Sequence, residues 1–123
     1  AVIKSSSEIM DIYHSNNLGK KDKGDGSPVT IADLAANEII MKALKAISPE
    51  IPVISEETYS NDLLNHNHKL FWIVDPLDGT REFINKSKEF PIIFFFNFIT
   101  TNNIFIFSIF FICFSMYIIN IYL

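Results

Sequence analysis

The sequence predicts a layered α/β fold, and three observations carry that expectation. A capped helical segment with a 3.6-residue apolar period leads into two short apolar runs, residues 51–54 and 70–74. Both runs are rich in β-branched and aromatic residues and are bounded by polar segments, as buried strands are. Each run stops at acid: Glu56 and Glu57 follow Ser55, and Asp75 follows Val74. Helices alternating with strands are the pattern of α and β layers packed on one core.

The elements follow in order. Residues 1–13 read as a helix with Ile9, Ile12 and Tyr13 on one face. Residues 15–27 are polar and rich in glycine and asparagine, with the charged run Lys20-Lys21-Asp22-Lys23, and predict a loop or short hairpin whose lysines could attract phosphate but are read first as solvated. Thr30 is placed as the N-cap of the next helix and Asp33 at its third helical position, the two ends of a capping box. Ile40, Ala43, Leu44 and Ile47 supply its apolar stripe, and Ser48-Pro49 ends it, because proline lacks the amide proton and disfavours helix in the residue before it. After the second strand, Pro76-Leu77-Asp78-Gly79-Thr80 predicts a tight turn, with a short helix over 80–85.

Composition bounds the function. At 123 residues the chain suits one modest domain. A net charge of −4 argues against a nucleic-acid partner, since counterion release needs a basic surface. The single cysteine, Cys113, excludes an intramolecular disulfide and a cysteine-cage zinc site. Averages conceal two different sequences: the 10 basic and 14 acidic residues all fall between Lys4 and Glu89, while most of the 12 phenylalanines lie beyond residue 90. The expected division is therefore 1–90 as the domain proper and 91–123 as a divergent apolar tail. With Ala1 opening directly into helix pattern and no basic-plus-apolar leader, the front end is expected to be cut and the compartment cytoplasmic.

The acids carry the chemistry. Two neighbouring strands that each stop at a carboxylate bring those groups to one sheet edge, where α/β folds place their ligands. Such acids repel one another unless a cation sits among them, and hard oxygen donors suit Mg²⁺ or Mn²⁺ rather than zinc. Asp75 and Asp78 lie three residues apart across a proline turn, so both can face one site together with a backbone carbonyl between them. Gly79 and Thr80 open the short helix, where backbone amides cradle phosphate and glycine permits close approach. Metal-binding acids beside a phosphate cradle imply phosphoryl chemistry, and residue-level reasoning stops at that class. Other polar residues read as structural: Glu57 as solvated, Trp72 as core, His14 as an exposed helix residue, and His66 and His68 as loop residues without supporting ligands.

Asp75-Pro76-Leu77-Asp78-Gly79-Thr80 resembles the signature of the inositol monophosphatase superfamily. Two upstream blocks stand in the matching order, residues 25–33 (DGSPVTIAD) and 53–57 (VISEE). The Ser-Pro-Val-Thr segment and the continuation Arg81-Glu82-Phe83 are similar to the bacterial 3'(2'),5'-bisphosphate nucleotidase branch. The resemblance implies a layered αβαβα sugar-phosphatase-like fold, of which this chain is the N-terminal half, and Mg²⁺ as cofactor. It implies Glu56, Asp75 and the Leu77 carbonyl at a first metal, and Asp75 with Asp78 at a second. Asp33 and Thr80, with Glu56, become catalytic residues around the attacking water, and the Gly79 and Thr80 amides bind the substrate phosphate. The implied substrate is a small phosphorylated nucleotide, adenosine 3',5'-bisphosphate, giving AMP and phosphate. An inositol-phosphate phosphatase and a noncatalytic remnant are the alternatives.

The chain departs from the family pattern after Phe90. Family members continue with a tryptophan-aspartate block that completes the second metal site, whereas the only tryptophan here, Trp72, lies upstream on a strand. Little or no activity is therefore expected from this chain alone, although residues 92–96 keep the apolar character of the next strand. Residues 104–123 are uncharged and about long enough to span a bilayer. Translation of AT-rich noncoding sequence is preferred as their origin over an authentic membrane segment and over a divergent core segment.

Overall fold

A computed structural model describes residues 1–58, 70–87, 93–100 and 103–105, the last two segments through their backbone. The element order is α1 (Val2–His14), β1 (Lys21–Asp22), β2 (Pro28–Val29), α2 (Ile31–Ile47), β3 (Val53–Ser55), β4 (Leu70–Asp75), α3 (Thr80–Ile84), β5 (Ile93–Thr100) and β6 (Asn103–Phe105). Helices and sheet form a mixed α/β structure, as expected from the alternation of patterns.

The larger sheet has the order β3-β4-β5-β6. β3 and β4 run parallel, with Ser55 opposite Val74, so both strands leave the pair at the same end. β5 is antiparallel to β4, with Ile93 opposite Asp75, and β6 turns back on β5. The uncharged segment thus begins as two strands of the sheet, and the strand expected near 92–96 runs from Ile93 to Thr100. Among the described residues no helix is long and apolar enough to cross a membrane. Cys113, His66, His68 and all of 106–123 lie outside the described residues.

The core is built from Ile9 and Tyr13 of α1, Ala32, Ala36, Ile40 and Leu44 of α2, Val74, Leu77 and Phe83. The four-residue spacing of the α2 positions puts them on one face, which packs into this shared core. Ile47, expected on that stripe, is instead 75% exposed. It sits at the last helical position, past the end of the layer that Leu44 closes. Ser48 then caps the helix, its amide and hydroxyl both donating to the Leu44 carbonyl, at 2.9 and 3.2 Å. The first strand is also shorter than expected at its start. The Ile51 amide donates back to Ser48 O at 3.1 Å, which makes a turn, and Pro52 has no amide to give. Pro52 still accepts from the Trp72 amide at 2.9 Å, so pairing begins there from one side only.

α1 is tied to the far side of the core through its last turn. Tyr13 packs against Phe83 with ring centroids 5.3 Å apart, and its hydroxyl donates to Ser87 O at 3.1 Å. Lys86 lies over the same ring and donates to the Tyr13 carbonyl. These contacts anchor α3, and with it the turn that precedes α3. Trp72 packs against the core as expected, its indole N–H donating to Ser48 Oγ at 3.0 Å.

Candidate functional site

Three segments converge at the end of the parallel β3–β4 pair: the N-terminus of α2, the exit of β3 and the exit of β4. α2 starts with the expected capping box. The Thr30 amide and hydroxyl donate to Asp33 Oδ2 at 2.8 and 2.6 Å, and Thr30 Oγ1 accepts from the Ala32 amide at 3.2 Å. Asp33 is only 1% exposed, yet its second oxygen is directed away from its own helix. Oδ1 accepts a 2.8 Å hydrogen bond from Thr80 Oγ1, 47 residues along the chain. Asp33 and Thr80, which the resemblance implies at one site, are thus in direct contact.

Thr80 opens α3 directly after Gly79, whose φ of 83° lies in the left-handed region that a Cβ disfavours. That glycine lets the chain turn from strand exit to helix across only four residues, 76–79. The turn before it is held by Asp75, whose Oδ1 accepts from the Leu77 amide at 3.2 Å across the buried Pro76. The Leu77 carbonyl lies 3.3 Å from the Thr80 hydroxyl, a second acceptor for the same proton. Asp75, Leu77, Gly79 and Thr80 thus belong to one tight strand-to-helix corner.

Glu56 reaches this corner from β3. Its amide donates to Val74 O at 3.0 Å, which continues the strand pairing one residue past Ser55 and sets Glu56 beside Asp75. Burial pushes the Asp75 carboxyl up to about 7, and the charge and hydrogen bond of Glu56 and the charge of Asp78 add to that. Asp78 is exposed at the rim. The structure therefore brings Glu56 and Asp75 into contact and holds Asp78 within electrostatic reach. Among the described residues, no group of three or more His, Cys, Asp or Glu is arranged to hold a metal ion.

Two features were not anticipated from the sequence. Lys23, expected in a solvated hairpin, crosses from the β1–β2 turn to the exit of β3. Its Nζ donates to Glu56 Oε1 at 2.9 Å and to Glu57 Oε1 at 2.8 Å. Burial alone would lower the Lys23 pKa, but the bonds to Glu57 and Glu56 outweigh it and leave it raised. Glu57, expected to be solvated, has a side chain only 3% exposed, and burial raises its carboxyl despite the lysine. The reason is the local turn: Ser55 Oγ accepts the Glu57 amide at 3.3 Å and donates to Asn37 Oδ1 at 2.6 Å, drawing Glu57 in under the hairpin. Asn37 follows Asp33 by one helical turn on the buried face of α2. A polar pair spaced four apart on an otherwise apolar stripe was the available signal.

Comparison with known proteins decides the family. The sequence profile of the Inositol monophosphatase family matches residues 1–93. The chain belongs to the inositol monophosphatase family. Within it, a 3'(2'),5'-bisphosphate nucleotidase CysQ from Buchnera aphidicola is 47% identical over 85 residues, covering 68% of this chain and 32% of that protein. The crystal structure of CysQ from Bacteroides thetaiotaomicron superposes with a TM-score of 0.61 at 36% identity, over 77% of this chain and 34% of that one. An IMPase/NADP phosphatase complexed with Mg²⁺ and phosphate shares the fold, with a TM-score of 0.66 at 20% identity over 78% of this chain and 36% of that one. The chain spans about a third of the length of the curated relatives it matches.

The donor types at the corner suit the cation that this family fold implies, although Glu56, Asp75 and Asp78 are not gathered as a three-acid cluster. Carboxylates and a main-chain carbonyl are hard oxygen donors of the kind Mg²⁺ prefers, and no softer ligand stands among them. The Asp75 carboxyl is raised first by burial and then by its acidic neighbours Glu56 and Asp78, so a cation there would offset both.

Proposed function

We propose that the chain carries the catalytic corner of a Mg²⁺-dependent phosphomonoesterase that acts on adenosine 3',5'-bisphosphate, releasing AMP and phosphate. The observation that supports it most is the 2.8 Å bond from Thr80 to buried Asp33, made within the same strand-to-helix corner as Asp75. The substrate is drawn from the CysQ relatives, which are named as 3'(2'),5'-bisphosphate nucleotidases.

In this reading Glu56, Asp75, Asp78 and the Leu77 carbonyl would hold Mg²⁺. When bound, the ion supplies Lewis-acid stabilisation of charge on the phosphoryl oxygens. The chain's own residues do the rest. Thr80 Oγ1 donates its proton to Asp33 Oδ1, which leaves its lone pairs to accept a hydrogen bond from the attacking water. Asp33 takes up the proton through Thr80 as general base. The Gly79 and Thr80 amides receive phosphate oxygens, and the buried Pro76 and Leu77 keep the corner rigid.

The test is phosphate release from adenosine 3',5'-bisphosphate and from inositol 1-phosphate, with Mg²⁺ and with a chelator, beside calorimetric Mg²⁺ binding. Magnesium-dependent release favouring the nucleotide is the expected result. Preference for inositol 1-phosphate would overturn the substrate. Binding without any release marks the remnant reading. Loss of neither binding nor release in Asp75→Asn would overturn the site.

A further inference from the structure

We infer that Lys23 is a built-in counter-ion of the acidic corner, a positioning residue that competes with a divalent cation for Glu56 and couples the β1–β2 hairpin to metal loading. The inference rests on the metal reading above.

Geometry carries it. Lys23 sits at the tip of the hairpin, in a turn closed by its own amide donating to Ser27 O at 2.7 Å and by the Gly26 amide donating to Lys23 O at 2.9 Å. Asp25 stiffens that turn, accepting from the Ser27 amide and hydroxyl at 2.9 and 2.7 Å. The backbone under Lys23 is thus fixed, and its side chain spans to β3 rather than lying free in solvent. The ammonium makes two contacts of different character. The Glu57 side chain is 3% exposed, while the Glu56 side chain is 48% exposed and also meets Asp75.

These two contacts cannot respond alike to a second cation. A divalent ion at Glu56 and Asp75 would stand a few ångströms from the ammonium, and like charges at that range repel. Lys23 then yields the exposed Glu56 and keeps the buried Glu57, because leaving Glu57 unpaired costs more than releasing a solvated carboxylate. In the metal-free chain the same ammonium neutralises part of the charge that Glu56 and Asp75 bring together. Lys23 therefore stabilises the unloaded corner and weakens its affinity for the ion.

The test uses Lys23→Met and Lys23→Gln, the second keeping a hydrogen-bond donor for Glu57 if the first fails to fold. Mg²⁺ affinity is measured by calorimetry and thermal stability is followed in chelator. Expected are a lower melting temperature without metal and a Mg²⁺ dissociation constant roughly tenfold smaller at low salt, with the gain shrinking as salt screens the ammonium. Lys23→Arg, which retains the charge, is expected to match the parent chain in affinity. A purely structural lysine lowers stability in the variants and leaves affinity untouched, and that outcome overturns the inference alone. A parent chain that binds no Mg²⁺ overturns the metal reading and the inference with it.

Discussion

Replacing Asp33 by asparagine tests whether one carboxylate both caps α2 and holds Thr80. Asp33 is 1% exposed, and burial of a charge on its own predicts that neutralising it stabilises the fold. Three donors argue the other way: Thr30 N at 2.8 Å, Thr30 Oγ1 at 2.6 Å and Thr80 Oγ1 at 2.8 Å. A hydrogen bond to a charged group contributes about 1.5–3 kcal/mol, against about 1 kcal/mol for a neutral pair. In Asp33→Asn the side-chain oxygen keeps the two Thr30 bonds as neutral ones. The amide nitrogen faces Thr80, which must turn its proton to the Leu77 carbonyl at 3.3 Å. We expect a loss of about 1–3 kcal/mol from weakening these contacts. Thr80→Val removes the long-range bond to Asp33 together with the weaker 3.3 Å contact to the Leu77 carbonyl, for about 1.5 kcal/mol, since that residue is half-buried. The decisive measurement is the double-mutant cycle in urea. The pair shares one bond, so the double variant is expected to lose about 1 kcal/mol less than the two singles together. Additivity within about 0.3 kcal/mol, or a stabilised Asp33→Asn, would refute the reasoning. In an active assembly either single change is expected to lower phosphate release by at least about 100-fold.

Other consequences follow from the same corner. The Asp75 carboxyl is raised in the folded chain from its ordinary 3.8 to about 7, so the folded state binds more protons between those values. The stability this contributes is complete below about 3.8 and is lost as pH rises through about 7. Glu57, raised in the same direction, adds to the trend. The chelator-treated chain is therefore expected to melt higher at pH 5 than at pH 8, with a smaller difference in Asp75→Asn; the opposite slope would contradict the burial of Asp75. Gly79→Ala puts a Cβ on a residue at φ 83° and is expected to cost about 1–2 kcal/mol in thermal unfolding, with phosphate affinity reduced as the turn shifts. Trp72→Phe keeps the ring packing but strips the 3.0 Å bond to buried Ser48, for a loss of about 1 kcal/mol in urea titration and no change in Mg²⁺ binding.

What the sequence disclosed depended on how local each interaction is. Thr30 and Asp33 stand three apart, and their capping geometry follows from helix physics alone. The corner from Asp75 to Thr80 is contiguous, so its turn and its glycine were readable without any partner. The approach of Glu56 to Asp75 was readable because both residues end strands, and parallel pairing puts such ends together. Lys23 and Glu57 were misread because their partners lie 34 residues apart and no local period links a hairpin tip to a strand exit. Ile47 was misread for a different reason. The apolar period of α2 runs past the layer beneath it, and periodicity carries no information about where the underlying layer stops.

The acids of this corner divide by what the fold gains from them. Asp33 is held by donors on two elements, and any change that removes its charge loosens α2 and the Thr80 turn together. Its role in the fold and its proposed role toward water use the same two oxygens. Asp75 is the reverse case. Burial and its acidic neighbours make its ionised form unfavourable, and the fold would be more stable with a neutral residue there. A group kept against the interest of the metal-free fold is what a cation site requires, since binding then relieves repulsion that the chain has already assembled. Comparing the two acids separates scaffold from site by the sign of one measurement: neutralising Asp33 destabilises the chelator-treated chain at pH 8, and neutralising Asp75 stabilises it.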